Sequence, residues 1–193
     1  VPACSDTGTS FQGNEYYGIG SNSGNRVNQL ELICASSAYA RGATGDGIKI
    51  AVVDTGGPWD ASGNISNGEF NSTASDIVKP SNSDYVNSDS VPNDDYKTAG
   101  HGTGVACMIR CDRGDGDMHG VAYNSILSFY KILGSTGTIV NDTNRGAAYN
   151  AADSNDIINS SWGTVVNGCS SASNCEALIG STTYAAMKTA TDT

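Results

Sequence analysis

The chain has 193 residues, enough for one domain with a sizeable core. Its 10 Lys and Arg stand against 20 Asp and Glu, a formal net charge of −10, which argues against nucleic acid and anionic membrane surfaces, since both need clustered cations. Apolar residues make up 38% and Gly alone numbers 24, so a loop-rich chain with a few short apolar elements is expected, and no run approaches the roughly 18 apolar residues that span a bilayer.

The chain opens with Val1 rather than Met, and a leader or pro-segment is expected to have been removed. Residues 1–27 read as an extended, polar, Gly-rich arm, and 28–193 as the core portion of a single domain. Leu30 to Tyr39 has apolar residues at helical spacing and ends at Arg41-Gly42, a helix with a Gly stop. Ile48 to Val53 (IKIAVV) is an almost continuous apolar run, the mark of a parallel strand buried on both faces. Residues 56–100 are polar and hold most of the Asn and Asp. A helix follows over His101 to Arg110, a strand over Ile126 to Leu133, and a helix over Asn144 to Ser154. A third strand covers Asp156 to Ser160, and a last helix covers Ser181 to Thr191 with Ser181 as its expected N-cap. Strands alternating with helices at this spacing predict an α/β fold with a mostly parallel sheet.

Six cysteines, an even number, point to three disulfides and an oxidising compartment. Cys107 and Cys111 lie four apart on a predicted helix, about 6 Å by helical rise and within reach of a bridge. Cys169 and Cys175 would close a small loop, and Cys4 and Cys34 would tie down the N-terminal arm. Zinc is the alternative, but there is no Cys-x-x-Cys and His is scarce.

Asp54 ends the first strand, where open α/β sheets place reacting groups. His101 and His119 are the two histidines, and His101 opens a Gly-rich helix start. A histidine there can take a proton at neutral pH and return it. Taken alone, Asp54 would read as an ordinary turn carboxylate, and His101 would be weak evidence, readable as a surface or helix-start histidine. Together they belong to four ordered segments: GATGDGIKIAVVDTGG, HGTGVACMI, HGVAYNSILSFYKIL and DIINSSWG. In order and rough spacing these resemble the subtilisin-like serine proteases, above all the bacterial secreted and autotransporter members. The resemblance covers about Leu30 to Thr191 and implies the N-terminal part of one such catalytic domain, with helices on both sheet faces.

The resemblance implies a secreted or cell-surface endopeptidase that cuts polypeptides through an Asp-His-Ser triad. Asp54 would orient the imidazole, and His101 would be the general base and then the acid. Ser161, Trp162 and Gly163 match the strand that pairs with substrate backbone and walls the primary specificity pocket. Gly134 and Ser135 fall in the opposite substrate strand. Gly104 stands where many members carry a second histidine, and Cys107 where a glycine is usual.

Two required parts have no counterpart in these 193 residues: the oxyanion asparagine and the Gly-Thr-Ser-Met-Ala type segment with the nucleophile. Gly8-Thr9-Ser10 has the letters but no helix after it, and Gly180-Ser181-Thr182 comes too soon after Gly163. The expectation is therefore a second polypeptide, or a further segment, that completes the sheet and the triad. The alternative is an inactive subtilisin-like fragment or pseudoprotease that acts as a binding protein.

No cofactor is required by this chemistry. An acidic loop with Asp112, Asp115 and Asp117 could hold calcium, but its spacing matches no complete calcium loop, and a solvated acidic turn is the preferred reading. An aspartic protease is the rival enzyme, because Asp-Thr-Gly occurs at Asp6 and again at Asp54. No apolar strand precedes Asp6, and His101 would go unexplained.

Overall fold

The structure, a computed structural model, describes residues 30, 33–70, 75–97, 100–113, 119–163 and 179–191. Its centre is a parallel sheet of four strands: β1 (Lys49–Asp54), β2 (Ile77–Val78), β3 (Ile126–Lys131) and β4 (Ile157–Asn159), in the order β2-β3-β1-β4. Lys49 to Asp54 of β1 pair with Ile126 to Lys131 of β3, and Ile50 to Val52 pair with Ile157 to Asn159 of β4. β1 therefore lies inside the sheet with both faces covered, which is why its sequence is apolar throughout rather than alternating.

The alternation of side chains along β1 and β3 divides the core in two. Ile50 and Val52, with Leu127 and Phe129, meet Ala106 of helix α2 (His101–Arg110) on one face. Ala51, Val53 and Tyr130 meet Ala148, Tyr149 and Ala152 of helix α3 (Asp142–Ala152) on the other, with Ala186 of α4 (Ser181–Thr191) in the same cluster. This is the expected α/β arrangement with helices on both faces. A short helix α1 (Ala35–Tyr39) packs its Tyr39 on Tyr123, and the Tyr39 hydroxyl donates to the Val121 carbonyl at 2.8 Å.

Several boundaries differ from expectation. The first helix is only five residues long, and β3 stops at Lys131, after which Leu133 bridges Ile139 across a tight turn. α3 starts two residues early because Asn141 caps it, its side chain accepting from Asn144 N at 2.9 Å. β2 arises in the polar stretch and pairs with β3 alone. Ser181 is the first residue of α4; the cap comes instead from Asp142, whose carboxylate accepts from Thr182 N and Thr183 N at 3.0 Å.

The Cys107–Cys111 disulfide is present, with a Cα separation of 4.3 Å. That is closer than the about 6 Å expected of a helical i, i+4 pair, although Cys111 N still bonds the Cys107 carbonyl at 2.9 Å. Cys34 is also disulfide-bonded. Its expected partner Cys4 lies outside the described residues, as do Cys169 and Cys175. Among the described residues, no helix is long and apolar enough to cross a membrane.

Candidate active site

Asp54 is the last residue of β1 and is fully buried, while the His101 side chain at the start of α2 is 45% exposed. The helix start supplies no cap of its own: Gly100, at φ 64°, has no side chain, and the first turn has no acidic residue. Its free N–H groups need acceptors from elsewhere. Thr55 Oγ1 accepts from Gly102 N, and Asp94 Oδ2 accepts from Thr103 N, both at 2.7 Å. These two bonds pin the helix start over the end of β1, and His101 Nδ1 donates to Asp54 Oδ1 at 2.7 Å. Asp54 Oδ1 also accepts from Thr55 N at 2.7 Å. With Nδ1–H turned to the buried carboxylate, the other ring nitrogen faces the cleft as a proton acceptor.

The approach of helix to strand depends on Gly102. A Cβ there would collide with the Gly56 carbonyl and stand 3.2 Å from Asp54 Cβ. Beside Asp54 in register on β3 is Lys131, whose fully buried ammonium pairs with Asp95 at 2.9 Å and with the buried Asp84 at 3.7 Å. The cleft itself is lined by Asp54, Thr55, Tyr96, His101, Leu133 and Gly137, with Ser161, Trp162 and Gly163 on the remaining side. Gly134 and Ser135 do not line it; they belong to the turn that presents Leu133 and Gly137, closed by Gly134 N donating to Thr138 O at 2.9 Å. The chain leading into Ser161 is anchored by Tyr149, whose hydroxyl meets Ser160 Oγ at 2.6 Å. Burial pushes that phenol above its ordinary pKa. Ser161 Oγ donates to Asn159 Oδ1 at 2.9 Å, and among the described residues no serine hydroxyl bonds His101.

The family model for subtilases matches residues 45–191. The chain belongs to the subtilase family. Two extracellular serine proteases of Serratia marcescens are 33% and 34% identical to it over 141 residues, 72% of this chain. The match spans only 12% of each relative's length. Among solved structures, a serine protease of Aeromonas sobria, determined in complex with a chaperone, aligns over 85% of this chain and 27% of its own. Its TM-score is 0.57 at 21% identity. A cold-adapted subtilisin-like serine proteinase aligns over 75% of this chain and 44% of its own, with TM-score 0.50 and 21% identity. At such identity these two speak for the fold, a subtilisin-like α/β sheet.

Of the residues this subtilase was expected to use, the structure brings Asp54, His101, Ser161, Trp162 and Gly163 to one cleft. Thr55 and Tyr96 in the cleft, and Asp94 bonded to the start of α2, were not expected. A helix that opens His-Gly-Thr-Gly without a capping side chain was the available hint for Thr55 and Asp94. The aspartic-protease reading falls with family membership, and Asp54 pairs with a histidine rather than a second carboxylate. Asp112 is engaged by the Arg110 guanidinium, whereas Asp115 and Asp117 lie outside the described residues. Among the described residues, no group of three ligating side chains could hold a metal.

Proposed function

We propose that this chain is part of a secreted subtilisin-like serine endopeptidase, with Asp54 and His101 as two members of its triad. The observation that carries this reading is the 2.7 Å bond from a half-exposed cleft imidazole to a fully buried carboxylate at a strand end. Asp54 holds the ring in the tautomer that leaves its outer nitrogen free, and stabilises the imidazolium once a proton arrives. His101 takes the proton from an attacking serine and returns it to the leaving amine. That serine, and the oxyanion asparagine, come from a further segment or a second polypeptide that docks beside β4. The substrate lies extended, its backbone against Ser161–Gly163 on one side and the turn containing Gly134 and Ser135 on the other. Proton transfer and acyl transfer of this kind require no cofactor. The acidic, disulfide-bonded chain and the extracellular relatives favour action outside the cell.

The test is fluorophosphonate labelling of the full protease, read by denaturing gel and mass spectrometry. One serine outside these residues should be labelled, and His101→Ala should remove the label. Label that survives His101→Ala, or no label on the native enzyme, sinks the reading.

A further inference from the structure

Tyr96 belongs to none of the segments that carry the family likeness, yet its ring enters the cleft. It meets the His101 ring edge to face, with centroids 6.4 Å apart and planes at 84°. On its other side it lies against Gly137, where an added Cβ would stand 3.1 Å from Tyr96 Cε2. The ring therefore fills the gap between the histidine and the turn after β3.

It is also held there. Asp94 is fixed to the start of α2 through Thr103 N, and its second oxygen accepts from Tyr96 N at 3.3 Å. Asp95 is anchored on the buried Lys131 ammonium at 2.9 Å. Lys97 N donates to Ser135 O at 3.4 Å, and the Lys97 ammonium lies 4.8 Å from the centre of the Tyr96 ring. With its backbone tied and its ring packed between His101, Gly137 and the Lys97 ammonium, Tyr96 is held at the cleft.

In an extended peptide, successive side chains point to opposite sides. If the residue whose carbonyl is attacked directs its side chain to the Ser161–Gly163 wall, the residue before it points to the opposite wall, made by His101, Tyr96 and Leu133. We infer that Tyr96 is a specificity-determining residue that closes this space, so the peptidase selects small side chains immediately before the attacked residue. This inference rests on the proposed peptidase reading.

The experiment uses the full protease and a peptide series that varies only that position, from Gly and Ala to Leu and Phe. The readout is the ratio of kcat/KM for Ala over Leu or Phe. The native enzyme should favour Ala by about tenfold or more, as expected when a side chain exceeds its pocket. Tyr96→Ala should lower the ratio to near one or reverse it, whereas Tyr96→Phe, which keeps the ring, should retain it. Asp95→Asn, which loosens the anchor, should lower it part of the way. A native ratio near one, or a ratio that Tyr96→Ala leaves unchanged, overturns the inference, because general loss of stability would not move a ratio. Absence of any cleavage by the native enzyme would instead overturn the peptidase reading on which the inference stands.

Discussion

Gly102 lies directly after His101, and its Cα packs beneath the Gly56 carbonyl. Gly102→Ala would place a methyl group where the helix start meets the end of β1, and the helix must yield. The contact that opens is the one between His101 Nδ1 and Asp54 Oδ1. Overpacking of this kind costs about 1–3 kcal/mol, and displacement of a catalytic group by about 1 Å can cost about 100-fold in rate. We expect the full protease carrying Gly102→Ala to melt several degrees lower and to lose about 100-fold in kcat/KM. A variant with native melting and native turnover would show that the close approach is unimportant. At this scale the sequence was legible where a residue sits inside a patterned segment: Asp54 follows an apolar run, and His101 opens a helix. Thr55, Asp94 and Tyr96 act through contacts with elements that folding brings to them, and no local pattern marks such contacts. Ser161 was legible as a cleft residue only because its segment resembles a known one.

Asp142 and Arg145 of α3 both bond to α4 or to the chain leading into it. The Asp142 carboxylate accepts from Thr183 Oγ1 at 2.7 Å as well as from the amides of Thr182 and Thr183, and Arg145 Nη2 reaches the Ile179 carbonyl at 2.5 Å. The Thr183 hydroxyl bond, followed by the Thr183 amide bond, holds the Asp142 carboxyl well below its usual range. The folded value lies under the unfolded one, so the unfolded chain takes up the proton first. The stabilisation is therefore complete above about pH 5 and is lost as pH falls through and below the ordinary carboxylate value of about 3.9. Asp142→Asn should be less stable than the native chain at pH 7 and should lose less stability on acidification. Urea midpoints at neutral pH and in steps down to about pH 3 would measure both; parallel curves for the two proteins would refute the assignment. This joint was not legible, since Ser181 offered a conventional local cap and the true acceptor comes from the start of another helix. β1 and β3 were legible because central parallel strands must be apolar on both faces, and β4 as a short apolar pair, Ile157-Ile158, between polar residues. β2 was not, because two residues paired on one side in a polar stretch carry no period to read.

The sheet as a whole is asymmetric. β1 is paired on both sides, whereas β4, among the described residues, is paired only with β1. Asp156 N donates to the Lys49 carbonyl at 2.9 Å, toward β1. By strand alternation the amides of Ile157 and Asn159 then point away from it, to the side with no described strand. Ile157 is 51% exposed. A strand end with an exposed apolar side chain and no described neighbour on one side is a surface that proteins ordinarily cover. The matched relatives extend far beyond the length this chain spans, and the proposed reading has the serine-bearing segment arrive on the side where β4 lies. That segment would add a strand to β4. Hydrogen exchange distinguishes an edge from an interior strand. In the full protease, the Ile157 and Asn159 amides should exchange at least about 100-fold more slowly than in the 193-residue chain alone, by comparison with amides that open only locally. Rapid exchange at both amides in an active, full-length enzyme would mean that the serine arrives by another route, leaving β4 as a true edge.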